Sequence, residues 1–338
     1  MNKNYYQTNS STRNKILKRF SMFDGVGLDL TNARTFDDAL VMAGLDYTAE
    51  KKPIFLADGQ EIKDHFAVVK SDEPSRVLGV VGNQYQAVGN REAFAVAEEI
   101  VDEGYAAYEV GGPSFKAKNT PDFARSFMVL RGDDFEIADD TYNSFVVFNN
   151  SFDGSTGVQY RVICQRVVCM NGMVRYLGGA KSQLRINIQH TATAKYRIAE
   201  AQKIIMQRRN EIEQIKAEAT AFINQGMTRA EFEKEIIPLI LREKKLVEND
   251  KKRERGHERI DTVVRELLQA YNADDVQNHA NNAYRAILAI SDYESHSAPL
   301  RDVGNGQVYM NRAIKGMVLT TAVAQYIAKT RGITVKVK

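Results

Sequence analysis

Two hydrophobic periods divide the chain near residue 190. Before it come short runs rich in β-branched and aromatic residues, bounded by Gly, Asn and Asp: "KPIFLAD", "HFAVVKS", "RVLGVVG", "YAAYEVGG", "RSFMVLRG", "YNSFVVFNN", "VQYRVICQRVVC" and "SQLRINIQH". Such runs read as strands. The "NSFDGSTG" between two of them supplies the Asp-Gly pair that a tight connection requires. Two helices interrupt the strands. Thr35 is placed to cap a short one carrying Phe36, Ala39, Leu40 and Ala43, ended by Gly44. Asn90 is placed to cap "REAFAVAEEIVDEG", whose Phe94, Ala97, Ile100 and Val101 form one apolar face ended by Gly104.

Beyond Thr191 the spacing becomes helical. Ile198, Ala201, Ile205, Arg208, Ile212, Ile215, Ala219 and Phe222 alternate three and four apart, a heptad seam that predicts one long helix over 192–224 paired with another helix. "TRAE" at 228–231 is a capping box opening the next helix, which Pro238 kinks or divides. The charge-dense "LREKKLVENDKKRERGHERI" reads as solvated helix or linker, and further helices are expected near 259–271, 276–291 and 311–330. This order predicts an α+β fold: a basic arm and short helix over 1–50, an antiparallel sheet domain with a packed helix over 51–190, and a helical domain of long antiparallel helices over 191–338.

Composition narrows the class without naming a function. Hydrophobic residues make up 43% and charged residues 26%, ordinary for a soluble globular protein. No apolar run approaches the ~20 residues of a membrane span, and the basic start lacks the apolar core of a secretory signal, so a cytoplasmic protein is expected. Cys164 and Cys169 have opposite parity in a regular strand, which disfavours a disulfide, and their spacing is not that of a zinc or redox motif.

The net charge of +3 conceals segregation. Residues 98–140 hold eleven acidic and four basic side chains, whereas 154–199 hold no acid. That second stretch carries Arg161, Arg166, Arg175, Lys181, Arg185, Lys195 and Arg197, interleaved with Tyr160, Tyr176 and Tyr196. Phosphate contacts need clustered cations, and unpaired bases stack on exposed aromatics among them. Arg161 and Arg166 have opposite parity, so both reach one surface only if a bulge lies between them.

Several segments are familiar in combination. "VVGNQYQAVGNREAF", "FNNSFDGSTGVQYRVICQRVVCMNGM", "INIQHT" and "AYRAILAISDYESH" resemble the phage/plasmid-like protein family of prophages and mobile elements. The shared pattern is G-x-x-Y-x-x-V-x-N-x-E-A-F, an N-x-x-D-G turn before R-V-V-C-x-N, an H-T pair and a late helix. Met170-Asn171-Gly172 stands where many relatives carry an Asn-Thr pair. The resemblance implies a phage or mobile-element setting in a bacterial host and supplies no catalytic residue.

Other chemistry finds little support in the spacing. Gly82, Gly89 and Asn90 make neither a dinucleotide fingerprint nor a P-loop. Cys164, Cys169, His190 and Asp153 lack the spacing of a metal site, and no cofactor is expected. Cys164 or Cys169 with His190 is the available nucleophilic dyad, with no orienting group; a structural role for His190 and Thr191 at the strand-to-helix junction is simpler.

The expectation is a non-enzymatic, oligomeric DNA-binding protein acting on single strands in recombination or replication. Arg161, Arg166, Arg175, Lys181, Arg185, Lys195, Arg197, Tyr160 and Tyr176 form the expected nucleic-acid surface, with no catalytic or metal residue. A protein-interaction, structural or host-takeover role through the heptad helices is the alternative, and a nucleic-acid-processing enzyme a further one.

Overall fold

The computed structural model describes Phe23 and residues 27–117, 120–166, 172–173, 185–205, 208–244, 246, 254–296 and 318–334. Strand β1 (Leu28–Asp29) and α1 (Phe36–Met42) precede β2 (Ala49–Phe55), β3 (Glu61–Lys70) and β4 (Glu73–Gly82). Next come α2 (Asn90–Asp102), β5 (Ala106–Ala117), β6 (Thr120–Gly132), β7 (Phe135–Ile137), β8 (Asp140–Ser151), β9 (Val158–Arg166), β10 (Gly172–Met173) and β11 (Arg185–Ile188). Helices follow: α3 (Ala194–Ile205), α4 (Arg208–Ile223), α5 (Arg229–Glu231), a π-helical stretch (Phe232–Ile236), α6 (Ile237–Glu243), α7 (Glu254–Tyr271), α8 (Asp274–Gln277), α9 (Ala283–His296) and α10 (Val318–Arg331).

The strands form a large sheet ordered β1-β5-β6-β8-β9-β10, with β7 beside β8 and β11 beside β9, and a small sheet ordered β2-β3-β4. Every pairing is antiparallel, so the chain is a mixed fold of antiparallel sheets and helices, as the run of strands followed by helices predicts. Strand β8 is central and buried along almost its whole length. Because side chains alternate, Tyr142, Val146 and Phe148 serve one face, called near here, while Phe145 and Val147 serve the far face.

Helices cover the near face. Ala93, Phe94, Ala97 and Ile100 of α2 join Ile198 and Ala201 of α3 in the core over Val146, Phe148 and Tyr160. At the other end Tyr142 and Cys164 meet a helical cluster containing Ile215, Ala219 and Phe222 of α4 and Tyr284, Ile287 and Ile290 of α9. The heptad seam therefore divides its partners: its first part packs on the sheet's own core and its second on helices. Residues 206–207, where a continuous helix would join α3 to α4, lie outside the described residues.

Local chemistry explains the element ends. Thr35 and Asp38 form a reciprocal capping box, as do Thr228 and Glu231. Pro238 is the second residue of α6, just past the π-helical stretch, and its missing N–H interrupts the backbone ladder there. Asn90 departs from its expected role. Gly89 occupies the cap position without a side-chain bond, and Asn90 turns inward, fully buried. The helix expected over 276–291 is two, α8 and α9; Asn282 accepts from the Arg285 N–H at 2.9 Å and starts the second.

Candidate nucleic-acid interface

Three segments distant in sequence meet beside the start of α3: the loop 83–89, the turn 152–157 and the junction 187–193. Tyr85 lies in the first, its ring stacked on His190 with centroids 4.9 Å apart. The Gln86 N–H donates to the His190 carbonyl at 2.9 Å, and the Val88 N–H donates to His190 Nδ1 at 3.3 Å. The Tyr85 hydroxyl donates to the Ser151 carbonyl at 2.9 Å, tying in the turn. Gly157 closes the triangle: a Cβ there would fall 2.1 Å from the Ile188 carbonyl oxygen, so only glycine lets β9 and β11 approach this closely.

Beneath them is a buried polar knot. Asn150 Nδ2 donates to the Val88 carbonyl at 2.9 Å and to Asn90 Oδ1 at 3.1 Å. Asn90 Oδ1 also accepts from the Ser126 hydroxyl, and its Nδ2 donates to the Leu45 carbonyl. The loop before α2 is thus held by side chains from β6 and β8. Burial pushes the His190 pKa down to about 4, so the ring is neutral near pH 7. With Nδ1 accepting, the proton sits on Nε2, which is buried without a partner among the described residues.

The rim of this junction is polar, and its acid Asp153 is neutralised. Asn83, Gln84, Gln86, Ser155, Thr156, Asn187 and Gln189 are exposed. Asp153 is bound by Arg125 at 3.0 Å and by its own turn at the Ser155 N–H. Burial would raise its pKa, but the Ser155 hydrogen bonds and the Arg125 charge hold the carboxyl below the usual range. Lys51 Nζ donates to the carbonyls of Asn83 and Tyr85 at 2.9 and 3.0 Å, adding a cation at the loop. On α3, Lys195, Tyr196 and Arg197 are exposed in succession, Tyr196 at 77%. Neither cation makes an ion pair among the described residues.

Most of the expected surface lies elsewhere. The β8–β9 register runs unbroken from Tyr142 opposite Arg166 to Asn149 opposite Gln159. Without a bulge, Arg161 and Arg166 point to opposite faces, and both are buried, 6% and 2% exposed. Arg166 is consumed internally: it holds both Asp140 oxygens at 2.7 and 2.8 Å, and Asp275 Oδ2 at 2.8 Å. Tyr160 is fully buried, its hydroxyl donating to the Ala93 carbonyl, and cannot stack on a base. Arg185 stands opposite Arg161 in the β9–β11 register. Arg175, Tyr176, Lys181 and Cys169 lie outside the described residues.

The arrangement offers recognition more readily than covalent chemistry. Cys164 is paired in register with Ser144, while His190 lies beyond Ile188, the partner of Val158. Six residues of strand separate the two levels, roughly 20 Å, so Cys164 and His190 make no dyad. Among the described residues no group of three or more His, Cys, Asp or Glu could hold a metal ion, and no helix is long and apolar enough to cross a membrane. The sequence reading missed Asp140, Asp275 and His279 as partners of Arg166. A lone arginine in the apolar run "VICQRVVC" was the available signal, since a cation with such neighbours is buried only when paired.

Comparison with curated proteins and with solved structures gave no match. A family match extends over residues 77–315, more than two thirds of the chain, and takes in all three segments of the junction. By that match the chain belongs to the family described as Domain of unknown function (DUF932).

Proposed function

We propose that this protein binds single-stranded nucleic acid without modifying it, in the setting of a phage or mobile element, and that the junction beside α3 is its contact surface. The observation that carries the reading is Tyr196, 77% exposed between the exposed cations Lys195 and Arg197. An unpaired base needs an aromatic face with cations close by for its phosphates, and Tyr196 with its two neighbours offers both. The acid-poor rim of Asn, Gln, Thr and Ser adds donors and acceptors for sugar and phosphate. Oligomeric assembly and a role in annealing or protecting replication intermediates belong to the same reading.

The test is fluorescence anisotropy with a labelled oligonucleotide across salt concentrations. Lys195→Ala with Arg197→Ala should flatten the log–log salt dependence by about 0.7 for each phosphate no longer bound. Tyr196→Ala should leave that slope unchanged and cost about 1–3 kcal/mol, reflecting the missing stack. Absence of binding at low salt to single and double strands of DNA and RNA refutes the reading.

One observation favours a second reading, protein interaction. Phe55, Leu56, Val77 and Val80 are 49–56% exposed on or beside the small sheet. A complex indifferent to salt and abolished by Val77→Asp and Val80→Asp substitution would support it.

A further inference from the structure

The small sheet packs through one face and leaves the other open. Val68, Leu78 and Val81 point inward and join the core that holds Phe94 and Phe148. Alternate positions point outward, in two cross-strand rows. Glu50 of β2, Val69 of β3 and Val77 of β4 stand side by side in the first row, and Lys52, Ala67 and Val80 in the second. Val77 and Val80 are each 56% exposed, and Glu50 is exposed with them. Neither Glu50 nor Lys52 forms an ion pair among the described residues. A contiguous apolar strip of this kind marks a contact surface, whereas hydrophobic residues scattered singly do not.

We propose that a second copy of this chain docks on the outer face, sheet against sheet, about a two-fold axis running across the strands between the two rows. Rotation about that axis reverses the strand direction and exchanges the rows. Glu50 then faces Lys52 of the second copy, while Val77 meets its Val80. By symmetry each pairing occurs twice, so the face is complementary to itself in both charge and apolarity. The sheet's edges are less suited to an added strand, because Pro53 in β2 and Pro74 in β4 place a residue without an N–H donor in each outer strand. Nucleic acid fits the face poorly: neither row holds an aromatic ring, and Glu50 repels phosphate. The proposal rests on the protein-interaction reading above and names its partner.

Sedimentation velocity of the full chain reads the assembly state, with folding checked by circular dichroism. The unaltered protein should sediment as a dimer that dissociates on dilution. Val80→Asp buries an unpaired charge in the contact and should leave a monomer. Glu50→Lys and Lys52→Glu change the surface and spare the core. Each sets like charges face to face twice and should weaken dimerisation about tenfold or more. Mixed in equal amounts, these two variants should dimerise again, because one carries only lysine at the two positions and the other only glutamate. An unaltered protein that stays monomeric at its highest soluble concentration, a dimer that survives Val80→Asp, or a mixture no better than its components overturns the proposal. A monomer that forms a salt-indifferent complex with another protein, lost on Val77→Asp and Val80→Asp substitution, overturns self-docking and leaves the protein-interaction reading standing.

Discussion

Replacing Arg166 by methionine would keep most of the side chain's volume and remove its charge from a closed network. The guanidinium donates from Nε and Nη2 to Asp140 at 2.7 and 2.8 Å, from Nη1 to Asp275 Oδ2 at 2.8 Å and from Nη2 to the Asp275 carbonyl at 2.7 Å. Without it two carboxylates remain, 11% and 6% exposed, with the His279 Nε2 contact to Asp140 at 2.8 Å as the surviving partner. Breaking a buried pair by removing one member costs about 3–5 kcal/mol, against a total stability of roughly 5–15 kcal/mol. The exposed Arg76–Glu73 pair, by contrast, is screened by solvent and its loss should leave stability almost unchanged.

Urea denaturation at pH 7 followed by far-ultraviolet circular dichroism measures the loss. Acid provides an internal check. Burial opposes ionisation of Asp140, but hydrogen bonds from His279 and Arg166 and the guanidinium charge hold its pKa below the usual carboxylate value. A lowered folded pKa means that this stabilisation is present above the unfolded value and is lost as pH falls below about 4. The gap between wild type and Arg166→Met should therefore narrow in acid. Neutralising all three positions, Arg166→Met with Asp140→Asn and Asp275→Asn, should recover much of the loss, because no uncompensated buried charge remains. A single-variant cost below about 1 kcal/mol at pH 7, or a triple variant no better than the single, would refute the argument. Oligonucleotide salt dependence should be unaltered in folded Arg166→Met, since this cation never reaches the surface.

Three further outcomes can be checked by the same denaturation assay. Because the folded His190 pKa is depressed to about 4, stability should fall as pH drops from about 6.5 toward 4, by roughly 3 kcal/mol, and His190→Gln should flatten that limb. Gly157→Ala should cost about 1–3 kcal/mol by forcing β9 and β11 apart at the Ile188 carbonyl, and a neutral result would show that the backbone yields freely. Glu294 accepts from the Leu319 and Thr320 N–H groups at 3.1 and 3.0 Å and so caps α10 from another helix; Glu294→Ala should cost about 1–2 kcal/mol. An unchanged urea midpoint in that last variant would mean that water replaces the cap without cost.

Legibility in the sequence followed the range of the forces involved. Thr35 and Thr228 were readable because a capping box is completed within four residues. Asn90 misled because its local pattern also suits a cap, while the partners that turn it inward, Ser126 and Asn150, are dozens of positions away. Of the expected interface, Lys195 and Arg197 emerge exposed. Tyr160, Arg161 and Arg166 do not, because an acid-free composition says nothing about which side of a strand meets solvent.

By itself the sequence determined the antiparallel strands, the helices that follow them, and the caps at Thr35 and Thr228. These are set by periods of two and 3.6 and by hydrogen bonds between near neighbours, and the segregation of charge is plain from composition along the chain. Tertiary structure alone decided that Arg166 belongs to Asp140 and Asp275, that Tyr85 stacks on His190, and that the heptad seam serves two different cores. Those outcomes depend on strand register and on helix placement over a sheet whose two faces are both buried at β8, so a polar side chain's fate turns on which distant residue is packed against it.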